Sequence, residues 1–195
     1  MRYSDAVAEV ERSLLEWDLK DIRTVMKSEA KVGAFILASC LIDHAANFYS
    51  SEKGNRKKYE DFVRTFMKGY DAEDLYQSLR CALVHNYSEG STKGSRYLLT
   101  DGEQAGKHHE PVGNKELLNL EHFVNDVEVA IRRYFERLKV EPELRRRCVG
   151  WFKTHPTLSL VKDASVRPGS FMPPPPTGTT TPVIISMQDS KERDA

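Results

Sequence analysis

Cysteine is scarce in this chain and shows no pairing pattern. Cys40, Cys81 and Cys148 are odd in number, widely spaced, and form no C-x-x-C. That excludes a disulfide framework and a thiolate zinc site. An excess of either charge is missing too: the formal net charge is zero. A non-specific nucleic-acid binder would be basic, so any RNA or DNA contact must rest on a local patch. The available clusters are Arg56-Lys57-Lys58, Arg132-Arg133 and Arg145-Arg146-Arg147, each of which reads first as a solvated helix face. Long apolar runs are absent as well. The longest, "AFILASCLI" at 34–42, is too short to span a bilayer. The opening "MRYSDAVAEVERSLLEWDLK" lacks the apolar core of a signal peptide. The expectation is a cytoplasmic protein without a membrane partner. "GEQAG" is too short and wrongly placed for a phosphate loop, and no Ser-His-Asp order stands out.

What is present is helical periodicity. With 39% hydrophobic and 30% charged residues, the chain fits a globular domain rich in helix. Val7, Val10, Leu14, Leu15 and Ile22 mark an amphipathic helix over 4–26. The next segment, to about residue 49, is apolar on all sides and should be the most buried helix. After the polar break "SSEKGNRKK", Phe62 and Phe66 mark a shorter helix. Asp71 is placed to cap a helix over 72–85 with Leu75, Leu79, Ala82 and Leu83 as its stripe. "RYLLT" and "ELLNL" flank a Gly/His-rich stretch and read as the two strands of a hairpin. Asn119 could cap a long helix to about residue 139, and Pro142 suits the first turn of a last one. The expected fold is all-α: an antiparallel four- to five-helix bundle over 1–160 with a small β-hairpin insertion. Residues 161–195, rich in Pro and Thr and without periodicity, are expected to be a disordered tail, with "PPPP" a solvated linker or a ligand for an SH3- or WW-type groove.

Few residues suggest chemistry. Asp43-His44 sits on the buried helix, where adjacent side chains point about 100° apart, and reads as a satisfied polar pair. His108-His109 could bind a metal, but with only Glu110 at ligand spacing the expectation is no metal site. The remaining candidate is Arg80 with His85, at the end of a helix and followed by Asn86 and Tyr87. As a bare pattern, Arg-x4-His should arise about 0.5 times by chance in this composition. Five residues along a straight α-helix is about 500°, so the two side chains point roughly 140° apart. A dyad would need the helix to unwind near His85, or a second copy to bring its own pair close.

The arrangement Arg80-x4-His85-x-Tyr87 resembles the HEPN superfamily, whose signature is Arg-x4-6-His near a helix in a four- or five-helix bundle. "GAFILASCLIDHAANFY" followed by "DLYQSLRCALVHNYS" is similar to uncharacterised bacterial proteins of that superfamily. The likeness covers roughly residues 5–140, with its specific part in the eight residues 80–87. It implies metal-independent RNA cleavage without a cofactor, as in the HEPN toxins of toxin–antitoxin pairs. His85 would be the proton shuttle, Arg80 the fixed positive charge on the phosphorane, and Asn86 and Tyr87 RNA-binding residues. It also implies a homodimer with 80–87 at the two-fold axis, and an antitoxin-type protein partner. Many active members carry Asn, Asp or His directly after the arginine; here it is Cys81, a weak hydrogen-bond partner. That departure favours the alternative, a non-catalytic HEPN-like module that binds a nucleotide or a protein.

Overall fold

The computed structural model describes residues 3–87 and 96–157, which belong to one unit, Met1–Leu158. The expected tail at 161–195, with "PPPP", lies outside the described residues, as do positions 88–95 of the break after Tyr87. The described part is mostly helical with a small three-stranded sheet.

The first helix runs as α1 (Tyr3–Arg12), a π-helical segment (Ser13–Asp18) and α2 (Leu19–Met26), with right-handed helical dihedrals through both junctions. Val10, Leu14 and Ile22 are buried along it, as their spacing predicts. After a turn closed by Lys31 Nζ on the Met26 carbonyl (2.6 Å), α3 spans Lys31–Tyr49. Ala34, Phe35, Ala38, Leu41, Ile42, Ala45, Ala46 and Phe48 are all buried, so α3 is apolar around most of its circumference. By length and composition alone it could cross a membrane. Here α2 and the helices over 55–66, 120–140 and 142–154 pack around it instead.

Gly54, at φ 89°, turns the chain into α4 (Asn55–Phe66). Phe62 and Phe66 are buried and meet Tyr49 and Tyr134 in an aromatic cluster with ring centroids 4.9–6.4 Å apart. Asp71 caps the next helix by accepting the Asp74 N–H at 2.9 Å. That helix is α5 (Ala72–Asp74), a second π-helical segment (Leu75–Cys81) and α6 (Ala82–Asn86). Leu75, Leu79, Ala82 and Leu83 are its buried stripe. It stops at Tyr87, which lies in the left-handed region at φ 50°, ψ 39°. A 21-residue helix, α7 (Leu120–Val140), is capped by Asn119 Oδ1 accepting the His122 N–H at 3.2 Å. The last, α8 (Pro142–Thr154), begins on Pro142.

The expected hairpin needs correcting. Both stretches are strands, β1 (Tyr97–Thr100) and β3 (Lys115–Asn119), but they pair parallel, Tyr97 opposite Glu116. Parallel strands need a crossover, and residues 101–114 supply it with a 3₁₀ turn (Gly102–Lys107) and the short β2 (Pro111–Val112). The hairpin is β2–β3, turned at Gly113 (φ 63°), and the strand order is β1-β3-β2. A short apolar string fixes strand character but not direction.

Candidate functional site

The Arg80–His85 pair lies on the helix that carries the second π-helical segment. Arg80 Nη1 and His85 Nε2 are 3.1 Å apart within one chain. The π-helical segment ends at Cys81 and α6 carries the chain from Ala82 to His85, so it is the long arginine side chain that spans the angle between the two positions. The requirement for unwinding or a second copy is thereby corrected: the two side chains meet within one chain without either. Guanidinium has no acceptor, so Nη1 donates and Nε2 presents its lone pair, which puts the proton of the neutral imidazole on Nδ1.

Arg80 is fixed from its other side. Its Nε donates to Asp43 Oδ2 at 2.6 Å, and its guanidinium lies over the Tyr76 ring, 5.7 Å from the centroid. The side chains of Arg80 and Asp43 are 17% and 15% exposed. Burial pushes the Asp43 carboxyl above its usual range, with Arg80 offsetting part of that. On Arg80 burial works against the charge, but the hydrogen bond and charge of Asp43 outweigh it and hold the guanidinium more firmly protonated. One α3 turn earlier, Cys40 has its thiol raised by burial, with Arg80 opposing. Near the pair is Tyr59, fully buried with a hydroxyl that has no hydrogen-bond partner among the described residues; burial, then the Asp43 charge, drive its pKa well up.

The neighbours fall into place unequally. His85 is exposed. Asn86 is the last residue of α6. Tyr87 is 70% exposed, and a left-handed backbone is unusual for a bulky aromatic. Cys81 lies near Tyr76, whose hydroxyl pKa is raised by burial first and by the Cys81 thiol after it. The Asp43-His44 pair is split between two sites: Asp43 faces Arg80, while His44 Nδ1 meets Asp18 Oδ2 at 2.8 Å. Asp43 is the residue that sequence reasoning missed. Its signal was there, since a carboxylate in the middle of a buried apolar helix requires a cation.

No family model, curated protein or solved structure matches the chain. Function has to be argued from these side chains.

A second polar cluster joins the crossover to α7. His108 Nε2, His109 and Asp126 place one ligand atom each within 4.8 Å of one another. The carboxylate is Asp126, seventeen or more positions away in sequence, and not the neighbouring Glu110. The hydrogen bonds decide what this cluster can do. The Asn119 N–H donates to His108 Nδ1 at 3.1 Å, so the proton of neutral His108 is on Nε2. That Nε2–H donates to the Tyr70 oxygen at 2.9 Å, and the Tyr70 hydroxyl donates to Asp126 Oδ2 at 2.7 Å. His109 Nδ1 pairs with Glu116. A protonated Nε2 has no lone pair for a metal, so the donor set does not fit one. Burial raises the Asp126 carboxyl, but the hydrogen bonds from His108 and Tyr70 outweigh it and hold it below the ordinary carboxylate range. The relay ties α7 to the strand crossover and to Tyr70, which packs against His109 (centroids 4.7 Å apart).

Proposed function

We propose that the chain is a metal-independent endoribonuclease of the HEPN type, built on an antiparallel helical bundle, with Arg80 and His85 as its working residues. The observation that carries this reading is the 3.1 Å contact between Arg80 Nη1 and His85 Nε2, with Asp43 fixing the arginine. The three guanidinium nitrogens have separate duties: Nε is held by Asp43, Nη1 faces His85, and Nη2, which has no hydrogen bond among the described residues, is offered to a non-bridging phosphate oxygen.

In the reaction, the ribose 2′-oxygen bonds to the adjacent phosphorus and the bond from phosphorus to the 5′-oxygen breaks. As the phosphate binds, Arg80 Nη1 turns from His85 to it; the freed lone pair of His85 Nε2 takes the 2′-OH proton, and Arg80 stabilises charge on the phosphorane. The products are a 2′,3′-cyclic phosphate and a 5′-OH, which receives a proton as it leaves. In-line displacement puts the attacking and leaving oxygens on opposite sides of phosphorus. A single His85 per chain faces one of them, so a homodimer supplying a second His85 fits the chemistry. Tyr87, exposed two positions after His85, is suited to stacking on an unpaired base, and the resemblance assigns Asn86, whose side chain lies outside what the structure describes, to the same strand. DNA lacks the nucleophile and is not cut. A cytoplasmic setting and an antitoxin-type protein partner complete this reading.

A second reading is favoured by one feature: Asp43 neutralises Arg80, and the residue after the arginine, Cys81, is a weak hydrogen-bond partner. On that reading the pair belongs to a non-catalytic module that binds a nucleotide or protein. Purified wild type and His85→Ala incubated with total RNA in EDTA separate the two. Cleavage by wild type that His85→Ala loses supports the nuclease. Intact RNA at high protein concentration, or equal cleavage by both, overturns it.

A further inference from the structure

The formal charge of the whole chain is zero, yet α2 is electrically two-sided. Towards α3, Asp21 and Asp18, the last residue of the π-helical segment before it, line a groove of about 220 Å³. Towards α7, Lys20, Arg23 and Lys27, the residue that caps the end of α2, line with Arg132 of α7 an open groove of about 430 Å³ over Leu15 and Leu19. The cations recur at every third and fourth residue, so they form one stripe on the helix. From Lys20 to Lys27 is about 10 Å along the axis, enough for separate phosphates.

The single carboxylate in this groove is already engaged. Glu128 accepts from Arg132 at 2.7 and 2.9 Å and pairs with Arg23, which also donates to Asn125 Oδ1 at 3.2 Å. Burial raises the Glu128 carboxyl, but the two arginines outweigh it and keep it ionised. Glu128 therefore splays two guanidinium groups while consuming one charge. Lys20 and Lys27 are exposed, and among the described residues neither side chain has an ion pair or hydrogen bond. Four cations against one carboxylate leave a strongly positive groove on a chain whose formal charges sum to zero. No aromatic ring lines it, so it has no platform for stacking a base. What it fits is a chain of phosphates, read without regard to sequence.

We propose that the α2–α7 groove is an RNA phosphate-backbone site, separate from Arg80 and His85, that anchors the strand those residues act on. This rests on the nuclease reading for its ligand class, and binding is measured so that the two fail separately. The probe is a 5′-labelled 12-nucleotide oligouridylate, titrated by fluorescence anisotropy with the full-length His85→Ala protein across about 50 to 200 mM KCl. Single-strand binding weakens with salt by about 0.7 in the log–log slope per phosphate contact. The slope should be about −2, and Lys20→Glu/Lys27→Glu should flatten it by about 1.4 while weakening affinity about tenfold or more. Lys20→Gln/Lys27→Gln should give a smaller loss in the same direction, with circular dichroism unchanged in both. Lys53→Glu/Lys57→Glu, elsewhere on the surface, should bind nearly as before. Unchanged affinity and slope in the Lys20/Lys27 variants would overturn the site. So would a glutamate-rich peptide of matched charge that competes as well as RNA, since that would make the groove a protein-docking surface. Absence of cleavage by wild type overturns the nuclease reading alone and leaves this binding result standing.

Discussion

Replacing Asp43 by asparagine keeps the shape of the side chain and removes its charge. Arg80 would then be a guanidinium with 17% of its side chain exposed, facing an amide in place of a carboxylate 2.6 Å from its Nε. Removing one partner of a fully buried pair costs about 3–5 kcal/mol, and a charged hydrogen bond is worth about 1.5–3 kcal/mol. Some water reaches this pair, which brings the expected loss to about 2 kcal/mol. For a domain of this size that corresponds to a fall in Tm of roughly 4–8 °C. Arg80→Met should cost a similar amount, because it strands Asp43, whose carboxyl burial already pushes up. The double variant Asp43→Asn/Arg80→Met should then lose about 2 kcal/mol and not the additive total of about 4, since it removes both desolvated charges together. Urea unfolding at neutral pH on the four proteins of this cycle measures the coupling directly. Additive single losses, with coupling below about 0.5 kcal/mol, would refute the clamp and the orientation of Arg80 built on it.

Tyr87→Gly relieves a left-handed backbone at the end of α6 and should stabilise the fold by about 0.5–1 kcal/mol. The same change removes an exposed ring two positions after His85, so binding of single-stranded RNA should weaken by roughly 5–100-fold; unchanged affinity by anisotropy would remove Tyr87 from the RNA surface. Acid should destabilise the protein. Burial raises Glu60, Asp126 and Glu128, but Arg56 with Arg64, His108 with Tyr70, and Arg23 with Arg132 outweigh it and hold the three below their ordinary values of 4.5, 3.8 and 4.5. Stability from such depressed acids is present above those values and lost as pH falls through the folded ones. Asp43, raised by burial, acts with the opposite sign but is a single group. Urea midpoints should be flat above about pH 5 and fall below about pH 4; a midpoint that holds or rises to about pH 3 would contradict these ion pairs. Zinc at about 100 µM and neutral pH should leave Tm unchanged, because binding to the native state alone would raise it. A clear rise that His108→Gln abolishes would show that His108 gives up its Nε2 proton.

Much of the fold was legible because local chemistry dictates it. Asp71 and Asn119 cap the helices their side chains can cap, Pro142 opens α8, and the all-round apolar stretch after Lys31 is the central helix. Strand direction was not legible, since "YLLT" and "KELLN" look the same either way and only the 101–114 crossover decides. The site was half legible. Arg80, His85 and Tyr87 stand out by residue type and spacing, but nothing in "LYQSLRC" announces an i→i+5 turn. Asp43 lies 37 positions from Arg80, and Asp126 lies 56 from Tyr70. Contacts that distant come from how helices cross, and no local window holds that information.

The widened turn over Leu75–Cys81 means that this site is stored partly in a residue count. An i→i+5 ring holds one residue more than an α turn, and that extra residue resets the angular phase of everything after it by about 100°. Deleting a single position such as Gln77 would keep Asp43, Arg80 and His85 in the chain and still swing the guanidinium and the imidazole together away from Asp43. The same letters at the same spacing on a plain α-helix therefore describe a different surface. A motif of this kind specifies a site only together with the pitch of the helix that displays it.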